Sequence, residues 1–387
     1  MTVIDLRDEL YRRKIDIIEI TDEFIYYAEE LKINGVDTIY LYSYSFSTGS
    51  ERVMSYFTFD DATYLQHYYA CKNSIIVLFE NDTNRVWIVK VDKNSNEEVY
   101  RKKIPLIGRF FECVSIDDNN IIIYSKADSE SRELFNRCLE ETNSDCLANL
   151  YDLEQGYRYF VKDFRTAMLV KNSMYKFIDP KGTEQLLLCD PYCDESEKEE
   201  LSRELSKVSE DIRDNIWIIS KEKFLDGVKN SLESIGLKKV ASAGAEGLVR
   251  FECISDDKIV FRAKVFAHGK EQFFEMSTVN GEVKAIGEVK SRNNMSHYFT
   301  DIENGRVYYL TRDDDKITLK GEINSNAVIT YPHSIGKIES CIDDRFVIAD
   351  SSKSYGEPLM SIYDGRLNLT DTYQARVKTK GEILVFF

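Results

Sequence analysis

The sequence is poor in the residues that usually announce chemistry. Of 387 residues only 4 are histidine, His67, His268, His297 and His333, and no two of them have the spacing of a zinc-protease HExxH helix. A G-x-S-x-G nucleophile elbow is also missing, which excludes a serine hydrolase of that type. No apolar run approaches the ~20 residues a membrane span requires. The opening MTVIDLRDELYRRK lacks the apolar stretch of a secretion signal. Just 5 prolines argue against long structureless linkers. Basic residues are outnumbered, 51 Lys and Arg against 67 Asp and Glu. The resulting net charge of −16 repels phosphate backbones and anionic lipid, so neither nucleic acid nor a membrane surface is expected as a general partner. The expectation is a soluble cytoplasmic protein.

What the sequence has is a repeat. The stretch RFECISDDKIVF, from Arg250, is a short apolar strand, an acidic turn and a second, more apolar strand. The same shape recurs as IIEITDEFIYY from Ile17, YYACKNSIIVLF from Tyr68, FECVSIDDNNIIIY from Phe111, AMLVKNSMYKFI from Ala167, YFTDIENGRVYYL from Tyr298 and IESCIDDRFVIA from Ile338. The turn acid or amide marks these copies at Asp22, Asn73, Asp118, Asn172, Asp257, Asn304 and Asp344. Between the copies, period-two alternation supplies further strands. The second copy is the clearest, with YLQHYYACK, SIIVLFEND, RVWIVKVDK and EEVYRKKIP separated by Asn- and Asp-rich turns. Its apolar inner strands and charged outer strand suit a small sheet with a guarded edge.

Four strands in plain units of ~40–50 residues resemble a seven-bladed β-propeller. The expected fold class is therefore all-β, one domain over residues 1–387, with four-stranded blades near 15–60, 64–106, 108–164, 165–244, 247–291, 296–334 and 337–387. The resemblance is architectural. The two tryptophans, Trp87 and Trp217, lie outside any Trp-Asp signature of WD40 type, and neither a kelch double glycine nor a sialidase-type Asp box is present. Two departures from the plain unit stand out. Leu134, Phe135 and Leu139 predict a short surface helix in the third unit, and residues 194–236 predict a helical insertion in the fourth. Its second helix, KEKFLDGVKNSLESIG, is expected to end at Gly236 and to pack on its own chain. The leftover EILVFF is too apolar to hang free and is expected to help close the propeller where the chain's two ends pair.

Cysteines sort by the repeat frame. Cys71, Cys113, Cys253 and Cys341 end first strands, where a small buried residue fills core. Cys138, Cys146, Cys189 and Cys193 fall outside the frame, at spacings that are not those of a zinc ribbon, so no metal is expected. The Asp- and Asn-bearing turns lack the spaced ligand set of a calcium loop. No cofactor is expected.

Site candidates come from aligning the repeats. Arg109, Arg165, Arg250, His297 and Lys337 stand where first strands begin, and in a propeller those beginnings lie at one mouth of the central channel. A ring of cations there would concentrate an anion, a carboxylate, a phosphate or an acidic peptide. The competing expectation is that each pairs with an acid of the neighbouring blade. Function is accordingly read as a binding or protein-interaction scaffold whose partner is a protein or a small anionic ligand. The alternative is a propeller-type hydrolase acting on a sugar or other small polar substrate.

Overall fold

The computed structural model describes residues 1–7, 13–59, 63–81, 85–127, 133, 146–190, 214–243, 247–255, 257–265, 270–290, 298–302, 305–313, 316–322, 328–331, 337–342, 345–350, 359–364, 366 and 368–387. Among these residues lie seven four-stranded antiparallel sheets, each taking its four strands consecutively from the chain, and one three-stranded sheet. Sheets 1 to 7 span 15–59, 63–105, 109–160, 174–243, 247–290, 298–331 and 337–374. The four-strand unit follows from the repeat: the Asp22, Asn73, Asp118 and Asp257 turns each join a first strand to an apolar second strand. Those second strands are buried throughout much of their length, as in Ile75 to Phe79 and Ile121 to Tyr124.

The chain divides into two compact units. One comprises Arg12–Asn172 with Ile219–Leu237 and holds sheets 1 to 3; the other comprises Met1–Tyr11, Ser173–Ile218 and Lys238–Phe387 and holds the remaining sheets. Inside each unit, consecutive sheets share their cores. Phe57 of sheet 1 packs with Val77 and Phe79 of sheet 2, and Ile76 and Ile88 of sheet 2 pack with Cys113 and Ile121 of sheet 3. In the second unit Leu187 of sheet 4 joins Ile259 and Phe261 of sheet 5, and Phe273 of sheet 5 joins Val307 of sheet 6. Cys71, Cys113, Cys253 and Cys341 are all buried in these seams, as their place in the repeat predicts.

Sheet 4 departs from the sequence expectation. AMLVKNS is not a first strand but the helix α1 (Phe164–Asn172), so Asn172 is no hairpin turn and the first strand is Met174–Ile178. A short apolar run reads equally as strand or buried helix. What decides is Asp163, whose carboxylate accepts the Thr166 backbone N–H at 3.0 Å and the Thr166 hydroxyl at 2.7 Å, capping a run of good helix formers. The expected insertion 194–236 contains the sheet's third strand, Asp214–Ser220, followed by helix α2 (Lys221–Lys229). Helix α2 ends at an Asn230 cap, before Gly236, which adopts φ 75° in the irregular segment that leads to the next strand. Its first turn is capped by Ser220, and Phe224, Gly227 and Val228 face inward. The expected helix before residue 214 and the one carrying Leu134, Phe135 and Leu139 lie outside the described residues, as do Cys138 and Cys193. Cys189 ends the second strand of sheet 4, and Cys146 opens the third strand of sheet 3.

The two ends of the chain do pair, in a sheet of their own. Thr2–Asp5 runs parallel beside Ile383–Phe386, which pairs antiparallel with Val377–Lys380. Leu384, Val385 and Phe386 are fully buried, and Phe386 stacks on Tyr373 of sheet 7 at 3.9 Å. No helix among the described residues is long and apolar enough to cross a membrane.

Candidate functional site

The five aligned cations have different fates. Arg109 opens the first strand of sheet 3 and is exposed. Lys337 opens the first strand of sheet 7. Arg250 is the fourth residue of its strand and donates to the Val249 carbonyl at 3.1 Å. Arg165 lies on α1 and is exposed, so it begins no first strand and the alignment that put it there is corrected. His297 lies outside the described residues. The cation entering the first strand of sheet 1 is one that the alignment missed, Arg13. It forks onto Glu29 at 2.8 and 2.5 Å, reaches Glu51 at 2.7 Å and lies over the rings of Tyr27 and Tyr42. Those two carboxylates hold the guanidinium charged, shifting its titration upward against the opposing effect of burial.

First strands carry a second regularity invisible in composition. The pairing register slips by one residue at Ile18, Phe111, Glu252 and Glu339, in sheets 1, 3, 5 and 7. A bulge of this kind re-aims the extra side chain. In sheet 5 that side chain is Glu252, 6% exposed, which accepts from Arg262 Nε at 2.6 Å and from Thr300 Oγ1 of sheet 6 at 2.7 Å. Arg262 also donates to buried Glu271 at 3.2 Å and lies over the Tyr298 ring. Two carboxylates thus share one guanidinium in this seam, and burial raises the Glu252 carboxyl against the opposing effect of Arg262 and Thr300.

The seam between sheets 2 and 3 is stitched differently. Asp118, the turn marker of sheet 3, accepts the Asn73 backbone N–H at 3.0 Å and the Ser74 hydroxyl at 2.6 Å, so one sheet's marker ties down the preceding sheet's turn. The Tyr69 hydroxyl donates to the Cys113 carbonyl, and Cys71 Sγ lies 3.1 Å from the Ser115 hydroxyl. Burial pushes the Cys113 thiol up to about 12, so it stays protonated and inert at neutral pH.

Farther along this seam the sheets part into a groove of about 190 Å³. Tyr100, Lys102 and Ile104 line it from one face of the edge strand Glu97–Pro105, as strand alternation requires, and Tyr151, Tyr157 and Arg158 line it from sheet 3. Tyr157 is 61% exposed and sets its ring edge-on to Tyr159. Burial raises the Tyr151 phenol, opposed by the Arg158 guanidinium bonded to it, and burial raises Tyr100 as well, so both remain neutral hydroxyls. Lys102 makes no ion pair or hydrogen bond among the described residues, and Arg158 meets only the Tyr151 hydroxyl. The acid in the wall, Asp152, is buried and already taken by Lys229 of α2 at 2.7 Å and by the Gln155 N–H at 2.9 Å. Burial alone would raise its carboxyl; those partners outweigh burial and hold it below the usual carboxylate range. The groove thus presents two uncompensated cations beside an aromatic and apolar floor. Its signal in the sequence was the basic run Arg101-Lys102-Lys103 on a predicted edge strand, which reads as simple edge protection until the neighbouring hairpin is seen.

Helix α2 borders the same hairpin. Lys221 reaches Asp117 at 3.3 Å, Lys229 reaches Asp152, and the Ile235 N–H donates to Asp163 at 2.9 Å. This docking matches the expectation that the second inserted helix packs on its own chain. Among the described residues no group of His, Cys, Asp and Glu is placed to hold a metal ion.

No protein-family model matches the chain. No curated protein matches it. Among solved structures it is similar to dipeptidyl peptidase 4 of Porphyromonas gingivalis, at 11% identity and a TM-score of 0.51, over 96% of this chain and 55% of that one. It is also similar to an oligogalacturonate lyase in complex with manganese, at 9% identity and a TM-score of 0.44 over 88% of this chain and 85% of that one. A third is the β-propeller domain of the Trilobed protease from Pyrococcus furiosus, at 10% identity and 0.43 over 93% and 98%. The chain spans about half the length of the peptidase. With its run of four-stranded meanders, the chain is an all-β protein of the β-propeller class. Likeness at this identity concerns fold alone.

Proposed function

We propose that this β-propeller is a cytoplasmic binding scaffold that engages an anionic partner through cations left unpaired at its sheet edges and strand entries. The observation that carries this reading is the allocation of charge. Among the described residues the buried carboxylates Glu29, Asp152, Glu252 and Glu271 are each held by a cation of the protein, and Asp163 and Asp301 by hydrogen-bond donors of the protein. Carboxylates so committed serve the sheets and their seams, whereas general acid–base work on a sugar needs a pair free to exchange protons with substrate. Arg109, Lys102 and Arg158 are exposed and make no ion pair among the described residues, in a chain of net charge −16. Lys337, which opens the first strand of sheet 7, is a further candidate contact in this reading.

The test is affinity purification of the full chain from its native cell, with mass spectrometry of proteins and small molecules together. The scaffold reading expects a reproducible acidic protein or small anion whose recovery falls in Arg109→Ala/Lys102→Ala and at raised salt. Recovery of no partner, combined with turnover of a sugar or ester panel, would favour the hydrolase.

A further inference from the structure

The geometry points to the groove between sheets 2 and 3 as a binding site for a small carboxylate carried on a single six-membered ring. This rests on the binding-scaffold reading and narrows it to one ligand chemistry at one place.

Size sets the first limit. A cavity of about 150 Å³ takes up benzene, so 190 Å³ holds one six-membered ring with a carboxylate. The lining sets the second. Tyr100, Tyr151 and Tyr157 offer ring faces and edges at the low entropic cost of aromatic side chains, and Ile104 closes the floor. Charge sets the third. Lys102 has no acid partner among the described residues, and Arg158 spends one contact on Tyr151, leaving donors of its planar fork to meet a carboxylate. Asp152, the one acid in the lining, is neutralised by Lys229, which itself lies over the Tyr159 ring, so it does not repel an incoming anion. A neutral ring would leave both cations unsatisfied, and a bare anion would leave the aromatic floor wet. A ring acid satisfies the two together. The groove is open at the edge of the sheets, since Tyr157, Lys102 and Arg158 are all exposed, so the ring enters and leaves without any rearrangement of the fold.

The test is calorimetric titration of the full chain with benzoate, with cyclohexanecarboxylate, with benzyl alcohol as a neutral ring and with acetate as a ringless carboxylate. Both ring acids are expected to bind at one per chain, and benzyl alcohol and acetate to bind at least about tenfold more weakly. Lys102→Ala/Arg158→Ala should weaken benzoate about tenfold or more while costing the fold no more than the one Arg158–Tyr151 hydrogen bond, because both side chains are otherwise exposed. Tyr157→Ala, a second exposed change, should weaken both ring acids and leave acetate unaffected. Equal binding of benzoate and benzyl alcohol would overturn the site as an acid receptor, and so would failure of benzoate to bind or its indifference to the double variant. Those results would leave the scaffold reading standing if a partner still co-purifies; benzoate binding with no co-purifying partner would do the reverse.

Discussion

The seam between sheets 5 and 6 and the seam between sheets 2 and 3 solve the same packing problem with opposite use of charge. In the first, Arg262 is enclosed by Glu252 and Glu271, with Thr300 and Tyr298 from the next sheet completing the network. In the second, the stitching is done by turn amides, hydroxyls and thiols, and the long cations are left at the edge beside a groove. The contrast teaches that a charged side chain in this fold is structural where a bulge or a neighbouring sheet brings it an acid, and available where none arrives.

The largest effect should come from breaking the paired seam. Arg262→Met leaves two buried carboxylates without their cation, and a loss of about 3 kcal/mol is expected in chemical denaturation. Adding Glu252→Gln should return part of it, since one uncompensated charge is then removed; a double variant no better than the single would contradict the pairing account. Next comes the neutral seam. Asp118→Ala removes the acceptor of the Asn73 N–H and the Ser74 hydroxyl, and should cost about 1–2 kcal/mol, without altering benzoate binding at the groove. A smaller effect tests how α2 is held beside that groove. A Cβ on Gly227 would meet the Ile235 side chain at 2.8 Å, so Gly227→Ala should cost about 1 kcal/mol after the gain in helix propensity, read as faster amide exchange over residues 221–235.

The smallest and most local effect is one of pH. Asp117 and Asp152, the two acids holding α2, both titrate below their ordinary value of 3.8; burial opposes the shift, and hydrogen bonds and lysines produce it. A depressed folded value means the contribution is fully present above the ordinary value and is lost as pH falls through the folded values. Limited proteolysis should therefore find residues 221–235 protected at neutral pH and down through the ordinary carboxylate range, and opened only in strong acid.

Much of this contrast was legible in the sequence, and for a physical reason. The four-stranded repeat shows because first strands, acidic turns and apolar second strands each leave a local pattern, and the cysteines of four first strands could be assigned to core on that pattern alone. Sheet 4 was misread because Ala167 to Val170 is an apolar run too short to betray its period, and the deciding cap is made by Asp163. Placing Arg165 in a ring of first-strand cations inherited that error. The bulge that turns Glu252 into the seam, and the hairpin that turns Lys102 from edge guard into groove wall, depend on register and on packing between sheets. Neither leaves a trace in a single strand's residues.

Paired charge holds this fold, and unpaired charge binds. Differential scanning calorimetry on Arg262→Met and on Lys102→Ala/Arg158→Ala, each with and without saturating benzoate, tests that division most directly. The prediction is that the first variant melts lower yet still gains stability from the ligand, and that the second melts much closer to the parent, short only of the Arg158–Tyr151 hydrogen bond, and gains none. If the double variant melts lower while keeping the ligand's effect, or if both variants lose stability and ligand response together, the division of charge between structure and binding is contradicted.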